Sequence, residues 1–341
     1  MKKAASGLPF LYLPVCRMAD DHHSGGMASA SSSRLVVFAA LGGNFAIAVM
    51  KFAAAASTGS SAMLSEAVHS LVDTGNQLLM LWGMRCAARP ATPEHPFGHG
   101  LELYFWSFMV AVLIFGLGAG VSIFEGVEKL RHPVSVTHVW PNYLVLGGSF
   151  VFEGIVWLLA MRAFLRQKGR LGVLEAAQAS KDPTVFTVLF EDTAALLGLL
   201  TAGVGLGLAQ WLHQPAFDAI ASLVIGGILA VTALFLARES RSLLIGESAP
   251  QPVRDHIRRI VASEPGVVCA NEILTMHFGP SEVLVAISMD FENQRSAGAV
   301  EAAVSRIEQR IRNNYPEVRR VFVEAQGFES HRAFDQQNVP G

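Results

Sequence analysis

Between about Leu35 and Leu236 the chain is a series of long apolar runs separated by short polar breaks, a pattern that few folds accept. A helix of ~20 apolar residues spans the ~30 Å hydrocarbon core of a bilayer. It also satisfies its own backbone polar groups, which lipid cannot do. The pattern predicts six membrane-spanning helices, at roughly 35–57, 61–86, 102–125, 141–164, 184–211 and 216–237. Ser57-Thr58-Gly59, Arg89-Pro90, Arg131-His132-Pro133, Lys181-Asp182-Pro183 and His213-Gln214-Pro215 supply the breaks. From about Arg238 the sequence becomes an ordinary soluble one, dense in Arg and Glu. This split explains why only 16% of the chain is charged, where a soluble domain carries about a quarter.

The predicted organisation is a disordered segment over 1–33, a six-helix transmembrane domain over 34–240, a soluble α+β domain over 247–328 and a tail over 329–341. Val253 to Ala262 and Ala299 to Ile311 carry apolar residues at helical spacing. Val267 to Phe278, Glu282 to Phe291 and Val318 to Glu324 alternate as strands, with Gly279-Pro280-Ser281 as a hairpin turn. Helix–strand–strand–helix–strand suggests a small layer resembling a ferredoxin-like domain. A layer so small gains from pairing with a second copy, so a homodimer is expected.

Positive charge orients the spans. Arg85 and Arg89 follow the second run, Arg162, Arg166, Lys168, Arg170 and Lys181 the fourth, and Arg238 and Arg241 the last. The opposite loops hold little besides Lys129 and Arg131, which places both termini in the cytoplasm. Near the amino terminus Leu8 to Val15 imitates a signal peptide, but Pro9 and Pro14 interrupt it. A plasma (inner) membrane location is the expectation. Cys16, Cys86 and Cys269 form no CxxC, so no disulfide framework or cysteine-rich metal site is indicated. A net charge of −2 excludes the basic face of a nucleic-acid protein.

The chemistry lies inside the apolar runs. Glu66, His69 and Asp73 fall at i, i+3 and i+7 of the second span and share one helix face, which Asn76 extends. Ionisable groups in lipid are costly and mark function. In the fifth span Glu191 and Asp192 stand in an otherwise apolar stretch, with no Lys or Arg beside them. Adjacent helical residues point ~100° apart, so one of the two faces the second span. Imidazole nitrogen with carboxylate oxygen is a donor set for zinc, and also for manganese, iron or cobalt. Such ligands bind metal only after losing protons, so the site is a metal–proton exchanger in thermodynamic terms. Alternating its exposure to the two sides gives antiport.

At these residues the sequence resembles the cation diffusion facilitator family. The resemblance rests on Asn44 with Lys51, on Ser65-Glu66-Ala67-Val68-His69-Ser70-Leu71-Val72-Asp73, on His95-Pro96-Phe97-Gly98-His99-Gly100 and on Asp192. It implies a homodimeric secondary transporter that exports divalent metal against proton entry, with lipid, metal cations and protons as partners and no resident cofactor. His69, Asp73 and Asp192 match three of the family's transport-site ligands. The fourth position is Val188, for which Glu191, Asn44 or water could substitute. His95 and His99 match two ligands of a second family site, whose acidic position is Thr92, with Glu94 or Asp182 as candidates to compensate. Where some members bind zinc in the soluble domain, this chain has Asn271, Ile287, Glu324 and Gln326. No binuclear site is expected there, with His256 and His277 read as surface or strand residues.

Other classes fit less well. A channel needs a continuous wet path lined by repeated rings. An intramembrane metalloprotease needs His-Glu-x-x-His, which the chain lacks, so an enzyme is not expected. A membrane scaffold or metal sensor is the remaining alternative to a transporter of divalent metal, zinc first.

Overall fold

The structure is a computed structural model and describes residues 28–133, 140–167, 183–280 and 282–338. The amino-terminal segment and the Lys168, Arg170, Lys181 and Asp182 positions lie outside the described residues. Two compact units emerge, one drawn from the chain up to Cys86 with Leu103–Arg241, the other from Ala87–Glu102 with the segment from Ser242 onward.

The first unit is helical. Its elements are α1 (Ala28–Thr58), α2 (Ser61–Ala87), α3 (Leu101–Leu113), α4 (Gly120–Arg131), α5 (Trp140–Gln167), α6 (Pro183–Trp211) and α7 (Ala216–Leu244). A π-helical stretch, Ile114–Ala119, joins α3 to α4 without a break, so one rod runs from Leu101 to Arg131. Among the described residues, four rods are long and apolar enough to cross a membrane: Leu101–Arg131, Trp140–Arg162, Phe186–Trp211 and Ala216–Leu244. The chain is a multi-pass membrane protein. α2 has the length but carries Glu66, His69, Asp73 and Asn76. Gly59, at φ +70°, turns α1 into α2.

Small residues bring the helices together. A Cβ on Gly126 of α4 would stand 2.7 Å from the Leu223 side chain of α7, and one on Gly226 of α7 would stand 2.6 Å from Ile123. Gly205 of α6 lies against Ala221 and the Phe217 carbonyl of α7. Close backbone approach of this kind takes the place of hydrophobic driving force in lipid. Hydroxyls bind the same helices. Ser65 of α2 meets Ser222 of α7 at 2.6 Å, and Ser222 donates to the Ser122 carbonyl of α4 at 2.7 Å. Lys129 does not stand as a free loop charge. Its ammonium is 2.8 Å from the Asp218 carboxylate and also donates to the Gly59 carbonyl. Asp218 in turn accepts from the Ser61 backbone N–H at 2.8 Å.

The second unit is built from α8 (Gln251–Ala262), β1 (Val267–Gly279), β2 (Glu282–Phe291), α9 (Ala297–Asn314), β3 (Val318–Ala325) and α10 (Phe328–Asn338). The three-stranded sheet has the order β1-β2-β3, with β2 antiparallel to β1 and parallel to β3. Ile287 sits opposite Ile273 on one side and Val323 on the other. The apolar stripes of both amphipathic helices meet one sheet face: Ile257, Ile260 and Val261 of α8, with Ile307 and Ile311 of α9, close a core over Ile273, Val285, Ile287 and Met289. The order of helices and strands is the one the sequence pattern predicts, and α10 adds a helix where that pattern shows only a tail.

Candidate metal centre

α2 carries Glu66, His69 and Asp73 on one face, as their spacing requires. His69 Nε2 lies 3.5 Å from Asp73 Oδ2. Neither imidazole nitrogen of His69 makes a hydrogen bond, nor does Asp73 Oδ1, and all three atoms are buried. On α6, Asp192 Oδ2 is buried and equally without a hydrogen-bond partner. Buried polar atoms are almost always satisfied, so these atoms are poised for something other than the bundle. The carboxylates of Glu153, Glu191 and Asp192 all act electrostatically on Asp73, and Glu153 acts on Asp192. Among the described residues, no three His, Cys, Asp or Glu side chains converge closely enough to hold an ion as they stand. Carboxylates that sense one another repel when ionised, and a divalent cation reverses the sign of that interaction.

The adjacent acids point in different directions. Glu191 is buried, and its Oε1 accepts a 2.9 Å hydrogen bond from the Asn76 amide of α2. Val188 is half-buried and offers no donor atom.

A cation already lies inside this unit. The Lys51 side chain of α1 is 0% exposed. Its ammonium donates to Glu66 Oε2 at 3.1 Å, to Ser70 Oγ at 2.7 Å and to Glu153 Oε1 of α5 at 3.1 Å. Glu66 Oε1 faces Gly198 of α6, where a Cβ would collide with it. Any larger residue there would make the Glu66 carboxylate shift. Glu153 is the residue the sequence reading passed over. A signal was present, since it is the sole acid in the apolar run 141–164, and an intramembrane acid is a functional candidate by default.

The second candidate pair lies in the other unit. The His95 and His99 rings are adjacent, with centroids 4.5 Å apart and planes 37° from parallel. Thr92 Oγ1 accepts from the His95 backbone N–H at 3.1 Å. The exposed Glu94 carboxyl is held below its ordinary range by its own backbone N–H and by the Thr92 hydroxyl. Gly98 takes φ +87°, which turns the loop onto the sheet. Phe97 stacks on Phe278 at 5.0 Å, and Arg320 lies over Phe97 while donating to the Pro96 carbonyl at 3.2 Å. The structure therefore places His69, Asp73, Glu191 and Asp192 in the helical unit, and His95 and His99 beside the sheet. In that sheet unit Asn271 donates to the Gln326 carbonyl at 2.8 Å, and His256 Nδ1 is 2.7 Å from the Tyr315 hydroxyl.

A family model described as the cation efflux transmembrane domain matches residues 37–245. The chain is 35% identical over 240 residues to a protein of Xenopus laevis named proton-coupled zinc antiporter SLC30A9, mitochondrial, a match that covers 70% of this chain. It is 30% identical over 264 residues to metal tolerance protein C4 of Arabidopsis thaliana, covering 77% of this chain and 58% of that one. It is 26% identical over 259 residues to the cation-efflux pump FieF of Escherichia coli O127:H6, covering 76% and 81% respectively. The chain matches 43% of the length of the Xenopus relative.

Proposed function

This chain belongs to the cation efflux family, also called cation diffusion facilitators, and from that membership we propose that it exports divalent metal, zinc first, by exchange for protons. One observation carries the reading. His69, Asp73 and Asp192 present buried nitrogen and oxygen donors without hydrogen-bond partners, on two helices of a membrane unit. Neutral imidazole with carboxylates is a common zinc donor set, and manganese, iron and cobalt share it. Metal displaces protons from such ligands, so inward proton movement can be exchanged for outward metal. The relatives named as a proton-coupled zinc antiporter and as a cation-efflux pump agree with this direction.

The remaining parts of the reading follow from it. Six spans, with α1 and α2 joining the four apolar rods, leave both termini in the cytoplasm of a plasma (inner) membrane. The second unit, read as ferredoxin-like, serves homodimerisation. Its sheet leaves Val268, Leu274 and Phe322 more than half exposed. His95 and His99 remain candidates for a second ion, and Glu191 for a supporting ligand.

Metal flux into proteoliposomes under an imposed pH gradient tests the proposal. Zinc, manganese, cobalt and iron are run in parallel, with the His69→Ala/Asp73→Ala protein as control. Gradient-driven zinc flux that the control abolishes is expected. Absence of flux for every metal in correctly inserted protein would refute it and leave a membrane scaffold.

A further inference from the structure

We propose that Glu153 is an oxygen donor to the transported ion, contributed by a third helix and positioned by Lys51. This deepens the transport-site reading and rests on it. With Val188 at the position where a ligand is expected, His69, Asp73 and Asp192 leave the donor set incomplete. Glu191 also acts on Asp73, but its Oε1 accepts from the Asn76 amide and its other oxygen is not among the buried atoms without a partner.

Glu153 has the properties the site lacks. It lies on α5, which is bound to α6 through Trp157 and Thr193, at 2.9 Å, one turn beyond Glu153. Its side chain is 17% exposed. One oxygen, Oε1, accepts from the Lys51 ammonium. The other, Oε2, is buried without a hydrogen-bond partner, as are Asp73 Oδ1 and Asp192 Oδ2. Glu153 also acts electrostatically on both of those carboxylates. A carboxylate with one oxygen anchored and the other unsatisfied is oriented as metal ligands are, where a neighbouring hydrogen bond fixes the ligating atom.

Lys51 supplies that anchor without competing for the ion. It donates to Glu66 and Ser70 as well as Glu153, so its ammonium is fixed between α1, α2 and α5. Its single charge is shared between Glu66 and Glu153, and offsets part of the charge that a third acid brings near Asp73 and Asp192. An ion entering among Asp73, Asp192 and Glu153 would meet three carboxyl groups and displace the protons they hold.

The test is cobalt(II) and zinc binding by the full-length protein in detergent, because cobalt absorption reports the number and geometry of donors. Glu153→Gln keeps an amide oxygen for Lys51 but weakens the donor. We expect zinc affinity to fall at least about tenfold, toward the ~10–100-fold seen for altered metal sites, and the saturated cobalt spectrum to change. A fall in affinity with an unchanged spectrum at saturation would make Glu153 merely structural and overturn the proposal. So would wild-type affinity. Glu153→Asp, which keeps the charge on a shorter arm, is measured in the same way if the amide variant does not insert. Asp73→Asn and Asp192→Asn run beside it. If these also bind like wild type, the transport-site reading itself fails; if they lose metal while Glu153→Gln does not, only the role of Glu153 fails.

Discussion

Replacing Lys51 by Met removes the ammonium but keeps most of the stem's volume. In the structure the ammonium meets two carboxylates at 3.1 Å and a hydroxyl at 2.7 Å, and both Lys51 and Glu66 are 0% exposed. Breaking a buried ion pair by removing one partner costs ~3–5 kcal/mol, because the other charge is left uncompensated. Here two acids are orphaned, so the upper end, ~5 kcal/mol, is expected. That is a large part of a typical ~5–15 kcal/mol total stability. The assay is reversible unfolding in mixed micelles, followed by circular dichroism as the denaturing detergent fraction rises. A second variant separates charge from shape. Lys51→Met with Glu66→Gln and Glu153→Gln removes every charge in the trio, and well-packed neutral replacements for a buried ionic cluster are often close to neutral in stability. The triple variant should therefore recover most of what the single one loses. A Lys51→Met protein within ~1 kcal/mol of wild type would mean that the two acids do not carry charge in the folded state, and the ion-pair reasoning would fall.

Two glycines give further tests. Gly198→Ala places a methyl against Glu66 Oε1, and overpacking of this kind costs ~1–3 kcal/mol; melting temperature and zinc affinity should fall together, and wild-type values for both would contradict the packing described. Gly100→Ala puts a Cβ into the Phe278 carbonyl and 3.2 Å from Gly279 Cα. The loop should lift from the sheet and proteolysis after Arg89 should accelerate, while an unchanged cleavage rate would mean that the loop does not depend on this contact.

The elements of the second unit were legible because their signals are local. Alternation over 267–278 and 282–291 and the 3.6-residue stripes of α8 and α9 gave boundaries within a few residues of those observed. Helix ends in the membrane unit were less so. α7 runs to Leu244 rather than stopping near 237, because Arg238-Glu239-Ser240-Arg241 ends the apolar run without ending helix propensity. The rod that begins at Leu101 continues to Arg131 through a π stretch that no periodicity announces. His69 with Asp73 could be read because both side chains lie on one helix, four residues apart. Glu153 could not be read in this way. Its partner, Lys51, is 102 positions distant, and a lone acid has no spacing to interpret. The docking of Phe97 on Phe278 is likewise a long-range contact between two segments that look like ordinary loop and strand.

α2 shows why its polarity and its function belong to one argument. Along its length Ser61 reaches Asp218 of α7, Ser65 reaches Ser222, Glu66 and Ser70 hold Lys51 of α1, Asn76 holds Glu191 of α6, and Met80 accepts from Ser107 of α3. These groups leave α2 less apolar than the four clear spans, so in isolation it would insert poorly. Inside the bundle almost every turn has a partner on a neighbouring helix, and interhelical hydrogen bonds of this kind contribute ~0.6 kcal/mol each on average. His69 and Asp73, on either side of Ser70, keep nitrogen and oxygen atoms without hydrogen-bond partners, as do Glu66 Oε1 and Asn76 Oδ1 on the same helix. The unpaired atoms of α2 fall within the stretch from Glu66 to Asn76, so its spare donor atoms are gathered in one part of the helix. An exchanger needs that arrangement, since one fixed set of donors must serve both sides in turn.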